Sequence, residues 1–192
     1  MKIFSNEQIY EGDRLTAQKQ GISSTELMER AGIQIFNWLH LRMQGAQVPI
    51  HVFCGIGNNG GDGLVISQVL KELNQNVILY CPESMAYKGD AKIAYKKNRL
   101  TKNNYNDLNI PKNSVIIDCL FGIGLNRKVK GMYKNIIKKV NNSKQHVISI
   151  DIPSGINGNN GKIMGEAIKA NSTYTLHAKK IGLTLNSGMK YS

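Results

Sequence analysis

The sequence predicts an α/β fold: a Rossmann-like three-layer αβα sandwich around a mostly parallel central sheet. Two observations carry this. Short runs of continuous apolar character alternate with segments of helical periodicity, the pattern of strands buried on both faces and joined by right-handed helical crossovers. Three of the strand ends also carry glycine together with polar residues, and ligands in open α/β sheets bind beyond the carboxyl ends of strands.

In chain order, Ser5 with Gln8 and Ser23 with Glu26 each fit a capping box and so open two helices. Gly21 ends the first. Leu27, Ala31, Ile35, Trp38 and Leu39 form one apolar stripe along the second. A strand at Val48–Cys54, a glycine-rich turn and a helix over Asp62–Leu73 follow. The alternation then repeats: strand Val77–Cys81, helix Asp90–Asn98, strand Val115–Cys119, helix Tyr133–Val140, and strands His146–Ile150 and Thr173–His177. The Lys/Asn-rich stretch from Lys96 to Asn113 reads as a long surface loop.

The 192 residues suit a single domain able to bury a sizeable core, and a 41 % hydrophobic fraction is ordinary for a globular chain. No apolar run approaches the roughly 18 residues of a membrane span. The N-terminus lacks the apolar stretch of a secretory signal. Cys54, Cys81 and Cys119 are too few and too odd in number for a disulfide framework, and each closes a strand, so they read as buried reduced thiols. A cytoplasmic protein with no membrane association is the expectation.

The formal charge of +12 is the unusual number, and it is unevenly spread. Between Ala86 and Lys144 stand 14 basic and 3 acidic residues, so nearly all the excess lies in the middle third. Such a balance raises nucleic acid as a partner. Yet 20 of the 25 cations are Lys, Asn is abundant too, and aromatic residues suited to stacking bases are scattered. A solvated surface is the simpler reading, with attraction of a phosphate-bearing small ligand next and nucleic acid last.

Three segments carry the chemistry. The first, Cys54 to Gly63, holds five glycines in nine positions between a strand and a helix. Backbone amides can approach a ligand there, and the helix start suits phosphate. Gly55, Gly57 and Gly60 satisfy G-x-G-x-x-G, but a dehydrogenase also wants an acid about 20 positions on, and Glu83 after Pro82 is the only local candidate. In the second, Ile116 to Arg127, Asp118 within an apolar strand needs a partner, and Arg127 is suited to clamping a phosphate. The third, Ile150 to Gly155, again sets an acid at a strand end. Convergence of the three ends would gather Asn59, Asp118, Asp151 and Ser154, whose oxygens suit a hard cation, with one Asp left free as general acid/base. His51, His146 and His177 sit in apolar strands and read as core residues without zinc spacing.

Together these segments resemble the NAD(P)HX epimerase family, the YjeF N-terminal domain. Gly57 to Gly63 looks like its GNNGGDG loop, Asp118 to Arg127 like its D-x-x-x-G-x-G-x-x-[RK] loop, and Asp151 to Gly155 like its DIPSG turn. Leu27 to Gly32 resembles the family's opening helix, and Lys180 to Leu183 a later family run. Departures are Ile56 for a common Pro, Ile123 for Thr, and Asn157 and Asn171 for Asp.

The resemblance implies repair of NADH or NADPH hydrated at C6, with the R and S hydrates (NADHX, NADPHX) interconverted and a separate dehydratase acting on the S form. It implies substrate contacts from Asn58, Asn59, Gly60, Gly61, Asp62, Gly122, Ile123, Gly124, Leu125, Asn126, Arg127, Lys128 and Asp151. On chemical grounds Asp151 is the candidate catalytic acid/base, since an acid that protonates the C6 hydroxyl lets the ring nitrogen expel it. It implies potassium on Asn59, Asp118 and Ser154, and a homodimer. Residues 1–192 would form one such domain, lacking the family's last strand and helix. A non-catalytic RNA or protein scaffold on the same fold is the alternative, and a hydride-transferring dehydrogenase a third.

Overall fold

A computed structural model describes residues 2–43 and 48–192. Its elements are β1 (Ile3–Phe4), α1 (Asn6–Gln20), α2 (Ser24–Met43), β2 (Ile50–Cys54), α3 (Asn58–Glu72), β3 (Val77–Tyr80), α4 (Gly89–Lys97), β4 (Lys102–Asn103), β5 (Val115–Cys119), α5 (Gly131–Ser143), β6 (His146–Ile150), β7 (Ser172–Tyr174), β8 (Lys179–Lys180) and α6 (Gly188–Tyr191). Six strands form one wholly parallel sheet in the order β4-β3-β2-β5-β6-β7, and β1 pairs with β8 in a separate parallel ribbon.

Period-two alternation of the strands builds both cores. Val52, Cys54, Ile117, Cys119, Ile148 and Ile150 face one side and pack with Ile35 and Leu39 of α2, Leu64 and Leu70 of α3, and Ala91 and Ala94 of α4. Phe53, Ile116 and Val147 face the other side and pack with Ile136, Ile137 and Val140 of α5. These two faces are the outer layers of the sandwich. From β2 the chain runs one way to β3 and β4 and then returns to β5 on the other side of β2, so the sheet's switch point lies between β2 and β5. All three glycine-bearing segments leave the sheet at its carboxyl edge, from the adjacent strands β2, β5 and β6.

The local signals hold. Ser5 and Gln8 make both halves of a capping box, and Gly21, at φ 64°, closes α1 in the left-handed region. Ser23 Oγ accepts the Glu26 N–H at 3.1 Å. Four expectations need correction. The helix after the first glycine loop starts at Asn58, one turn before Asp62. The Lys96–Asn113 stretch supplies the edge strand β4 and a helical turn, Tyr105–Asp107, whose Tyr105 is buried and donates its hydroxyl to the Cys54 carbonyl. The last strand stops at Tyr174, so His177 lies outside it. His146, expected in the core, is exposed at the first position of β6.

Candidate active site

At the β2–α3 junction, close packing accounts for much of the glycine. A Cβ on Gly60 would stand 1.8 Å from the Gly55 carbonyl oxygen, and one on Gly61 would stand 2.7 Å from Met28 Sδ. These two glycines therefore seat the helix and do not line the cleft. The early start of α3 puts Asn59 and Asp62 three residues apart on one helical face, and both are buried. Gly57 caps the helix with no side chain, so its first amides are left for a ligand.

Asp118 owes its place to strand register. It stands beside Ser149 across the β5–β6 pair, on the same face. Its carboxylate accepts four hydrogen bonds: from Ser149 Oγ (2.7 Å) and Ser154 N–H (2.9 Å) at Oδ2, and from Ser154 Oγ (2.6 Å) and Leu120 N–H (3.2 Å) at Oδ1. Burial pushes the Asp118 carboxyl above its usual range, and these bonds oppose the shift. Ser154 Oγ also accepts the Phe121 N–H at 2.8 Å, stitching the second segment to the third.

Asp151 follows β6 with φ 71°, a left-handed backbone in which Asp is one of the better-tolerated residues. Its N–H donates to Tyr174 O at 2.7 Å. Its Oδ1 pairs with Lys180 Nζ, and its Oδ2 lies over Gly122, 3.2 Å from where a Cβ would sit, beside Asn59.

These segments wall a cleft of about 770 Å³. Asn58, Asn59, Asp62, Gly122, Ile123, Gly124, Leu125, Asn126, Arg127, Lys128 and Asp151 all line it. Gly60, Gly61, Asp118 and Ser154 do not. Sequence reasoning missed the fourth wall. Tyr10 and Asp13 come from α1, and His177, expected in the core, contacts Asp13 at 3.2 Å from Nδ1 to Oδ1. His177 fits there because Gly12 has no side chain: a Cβ would come within 2.4 Å of Nε2. A polar residue on an otherwise ordinary helix gave no signal for Asp13.

Charge is divided within the cleft. Burial, then the charges of Asp151 and Asp13, push Asp62 well above the ordinary carboxylate range. Burial is also the main cause raising Asp13, with His177 opposing it and Asp151 adding to it. Tyr10 rises by burial and then by Asp151 and Asp13. Arg127, Lys128 and Lys130 are exposed in the same lining, and the Arg127 charge acts on Tyr133 of α5.

The free oxygens here are of the kind a hard cation takes. Neither Oδ1 nor Nδ2 of Asn59 has a hydrogen-bond partner although both are buried, so the amide oxygen is unused. Ser154 Oγ supplies a second oxygen. All four lone-pair positions of Asp118 are occupied, so its share would be to hold Ser154 and to bring negative charge nearby. Among the described residues no group of three His, Cys, Asp or Glu is arranged for a metal.

The sequence departures are accommodated. Asn157 Oδ1 accepts the N–H groups of Asn159 and Asn160, and Asn171 Oδ1 accepts Val147 N–H at 2.8 Å. Ile123 lines the cleft while its carbonyl accepts from Asn6 Nδ2 at 2.9 Å.

The family model described as YjeF-related protein N-terminus matches residues 24–182. The bifunctional NAD(P)H-hydrate repair enzyme of Coxiella burnetii is 40 % identical over 195 residues, which span 98 % of this chain and 39 % of that protein. The NAD(P)H-hydrate epimerase of Limosilactobacillus reuteri is 34 % identical over 200 residues, covering 100 % of this chain and 92 % of its own length. That of Oenococcus oeni is 34 % identical over 193 residues, with 98 % and 91 % covered. The crystal structure of yeast ynu0 has the same fold, with a TM-score of 0.80 at 22 % identity, over 97 % of this chain and 85 % of that one. The family match runs from the start of α2 to just past β8, across every strand of the main sheet, and this chain belongs to the YjeF-related N-terminal family.

Proposed function

We propose that this protein is an NAD(P)H-hydrate epimerase, an isomerase that interconverts the R and S forms of NADH or NADPH hydrated at C6 of the nicotinamide ring. The observation that carries the reading is Asp151, a buried carboxylate at the carboxyl edge of the sheet, inside a cleft to which all three glycine-bearing segments contribute. The cleft volume falls in the range of small-molecule sites. Relatives named for this activity match the chain from end to end.

The chemistry follows from the ring. The lone pair of the ring nitrogen can expel the C6 hydroxyl once that oxygen is protonated. Asp151 in its acid form gives the proton, water departs and C6 becomes trigonal in a flat iminium cation. Water adding to the opposite face inverts C6 and sheds a proton to solvent, from which Asp151 is reprotonated, so the cycle consumes none. The cation forms beside the carboxylate that Asp151 becomes on giving up its proton, whose negative charge favours it. Arg127, Lys128 and the uncapped start of α3 are suited to the pyrophosphate. Potassium, when bound by Asn59 and Ser154 with Asp118 behind them, would supply a fixed positive charge where the second and third segments meet.

The reading carries a cytoplasmic location, which three buried free thiols suit. Among the described residues no helix is long and apolar enough to cross a membrane. It also carries a homodimer and a functional link to an NAD(P)HX dehydratase. Nucleic acid is not a partner in it.

The test follows recovered NADH absorbance when the R hydrate is incubated with an S-specific dehydratase and this protein, in potassium and in sodium buffers. Acceleration over spontaneous epimerisation is expected, stronger in potassium, with Asp151→Asn losing about 100-fold or more. No acceleration by the wild-type protein would sink the reading, and tight salt-sensitive RNA binding would favour the scaffold alternative.

A further inference from the structure

Lys180 is fully buried, an unusual place for an ammonium. It spends all three of its donors: on Asp151 Oδ1, on Thr175 Oγ1 at 2.9 Å and on the Leu176 carbonyl at 2.6 Å. The residue stands on β8, which pairs with β1, with Phe4 opposite Lys180. Thr175 and Leu176 belong to the turn that follows β7, so the ammonium ties that turn to the carboxylate at the end of β6.

The consequence for Asp151 is an inequality between its two oxygens. Oδ1 is committed to the ammonium behind it, while Oδ2 lies over Gly122 and beside Asn59, toward the cleft. A carboxylate free to rotate about χ2 would present either oxygen, or neither, at the reacting atom. A carboxylate anchored by a charge at one oxygen presents the other in one orientation. Lys180 is also the cation whose charge opposes the crowding of Asp13 and Asp62 around Asp151.

We propose that Lys180 is the positioning residue of this site: its ammonium fixes one oxygen of Asp151 so that the other faces the C6 hydroxyl of the bound hydrate. The proposal rests on the epimerase reading and adds to it a residue that never touches substrate. It involves no covalent step of its own. Lys180 should therefore govern turnover and leave binding alone.

The experiment measures kcat and KM for the R hydrate in the coupled assay, with thermal melting alongside, for the wild type, Lys180→Met and Thr175→Val. Lys180→Met keeps the chain length and removes the charge. It should lower kcat about 100-fold, the cost of a misplaced reacting group, with KM within about threefold of wild type. Thr175→Val keeps the shape, withdraws one acceptor and strands no charge. It should lower kcat about fivefold, the weight of one ordinary hydrogen bond, again at unchanged KM.

An active wild type whose Lys180→Met variant melts normally and keeps its kcat overturns the proposal and leaves the epimerase reading standing. Loss of kcat and KM together, in step with melting, also overturns it, because a merely structural lysine would do that. If Lys180→Met does not fold, Thr175→Val decides: a fall in kcat at constant KM supports the assignment and an unchanged kcat overturns it. A wild type with no activity removes the epimerase reading and this assignment with it.

Discussion

His51 stands in the middle of β2, buried, with neither ring nitrogen hydrogen-bonded and its ring stacked 5.9 Å from that of Tyr80. Burial holds it below the ordinary imidazole value of 6.5, so the folded protein keeps it neutral. The sign of the pH effect follows. Below about pH 6.5 the unfolded chain binds a proton at His51 that the folded chain refuses, so stability is intact above that pH and falls as the solution is acidified. Urea midpoints at pH 7.5 and 5.5 should separate by on the order of 1 kcal/mol more in the wild type than in His51→Phe. Equal acid sensitivity of the two proteins would show that His51 is not the cause. The residue was legible as a core histidine in the sequence, because apolar neighbours on both sides mark a buried strand. His177 was not: the apolar run around it is the same in kind, but the strand stops at Tyr174 and the turn beyond swings the imidazole onto Asp13.

At the scale of elements, α3 decides where the site can be. It lies close enough to the sheet that a Cβ on Gly63 would come within 2.6 Å of Cys54 Sγ and 2.7 Å of Cys119 Cβ. That approach carries Asn59 and Asp62 to the carboxyl edge of β2 and β5. Gly63→Ala should push the helix outward, costing about 2 kcal/mol in a urea titration, and should lower turnover with it because the same helix bears both polar residues. A variant as stable and active as wild type would mean that the helix has room to spare. The glycine run was legible as a strand-to-helix ligand loop, and its position at the switch point bears that out. Its division of labour was not legible. Composition cannot distinguish a glycine that bares its amide to a ligand from one, such as Gly60, that makes room for a neighbouring carbonyl. Likewise, the stretch from Lys96 to Asn113 has the composition of a loop. Yet its β4 segment gains an edge position beside β3, and Tyr105 gains a buried acceptor, from partners far away in the chain.

Over the whole molecule, the +12 charge is mostly surface. Arg127, Lys128 and Lys130 line the cleft, while Lys134, Lys138, Lys139 and Lys144 lie on or beside α5 and do not line it. Under the proposed function, single-stranded RNA should bind only through counterion release. A filter-binding or fluorescence titration should therefore find affinity falling steeply between 50 and about 200 mM salt and independent of base sequence. Retention of tight binding at the upper salt concentration would assign those lysines a partner. The sequence by itself determined the class of the fold, the four strands β2, β3, β5 and β6 to within a residue or two, the three segments that carry chemistry, and their order. It could do so because burial on two faces, helix capping and glycine-dependent turns are local requirements that leave a mark where they act. Only the tertiary structure decided that Asp13, His177 and Lys180 join them. Asp13 sits on the first helix of the chain and Lys180 on a two-residue strand near its end, paired with another at the beginning. No periodicity or spacing records such a meeting, because its energy lies in one buried ion pair and in contacts that exist only once the sheet has closed between them.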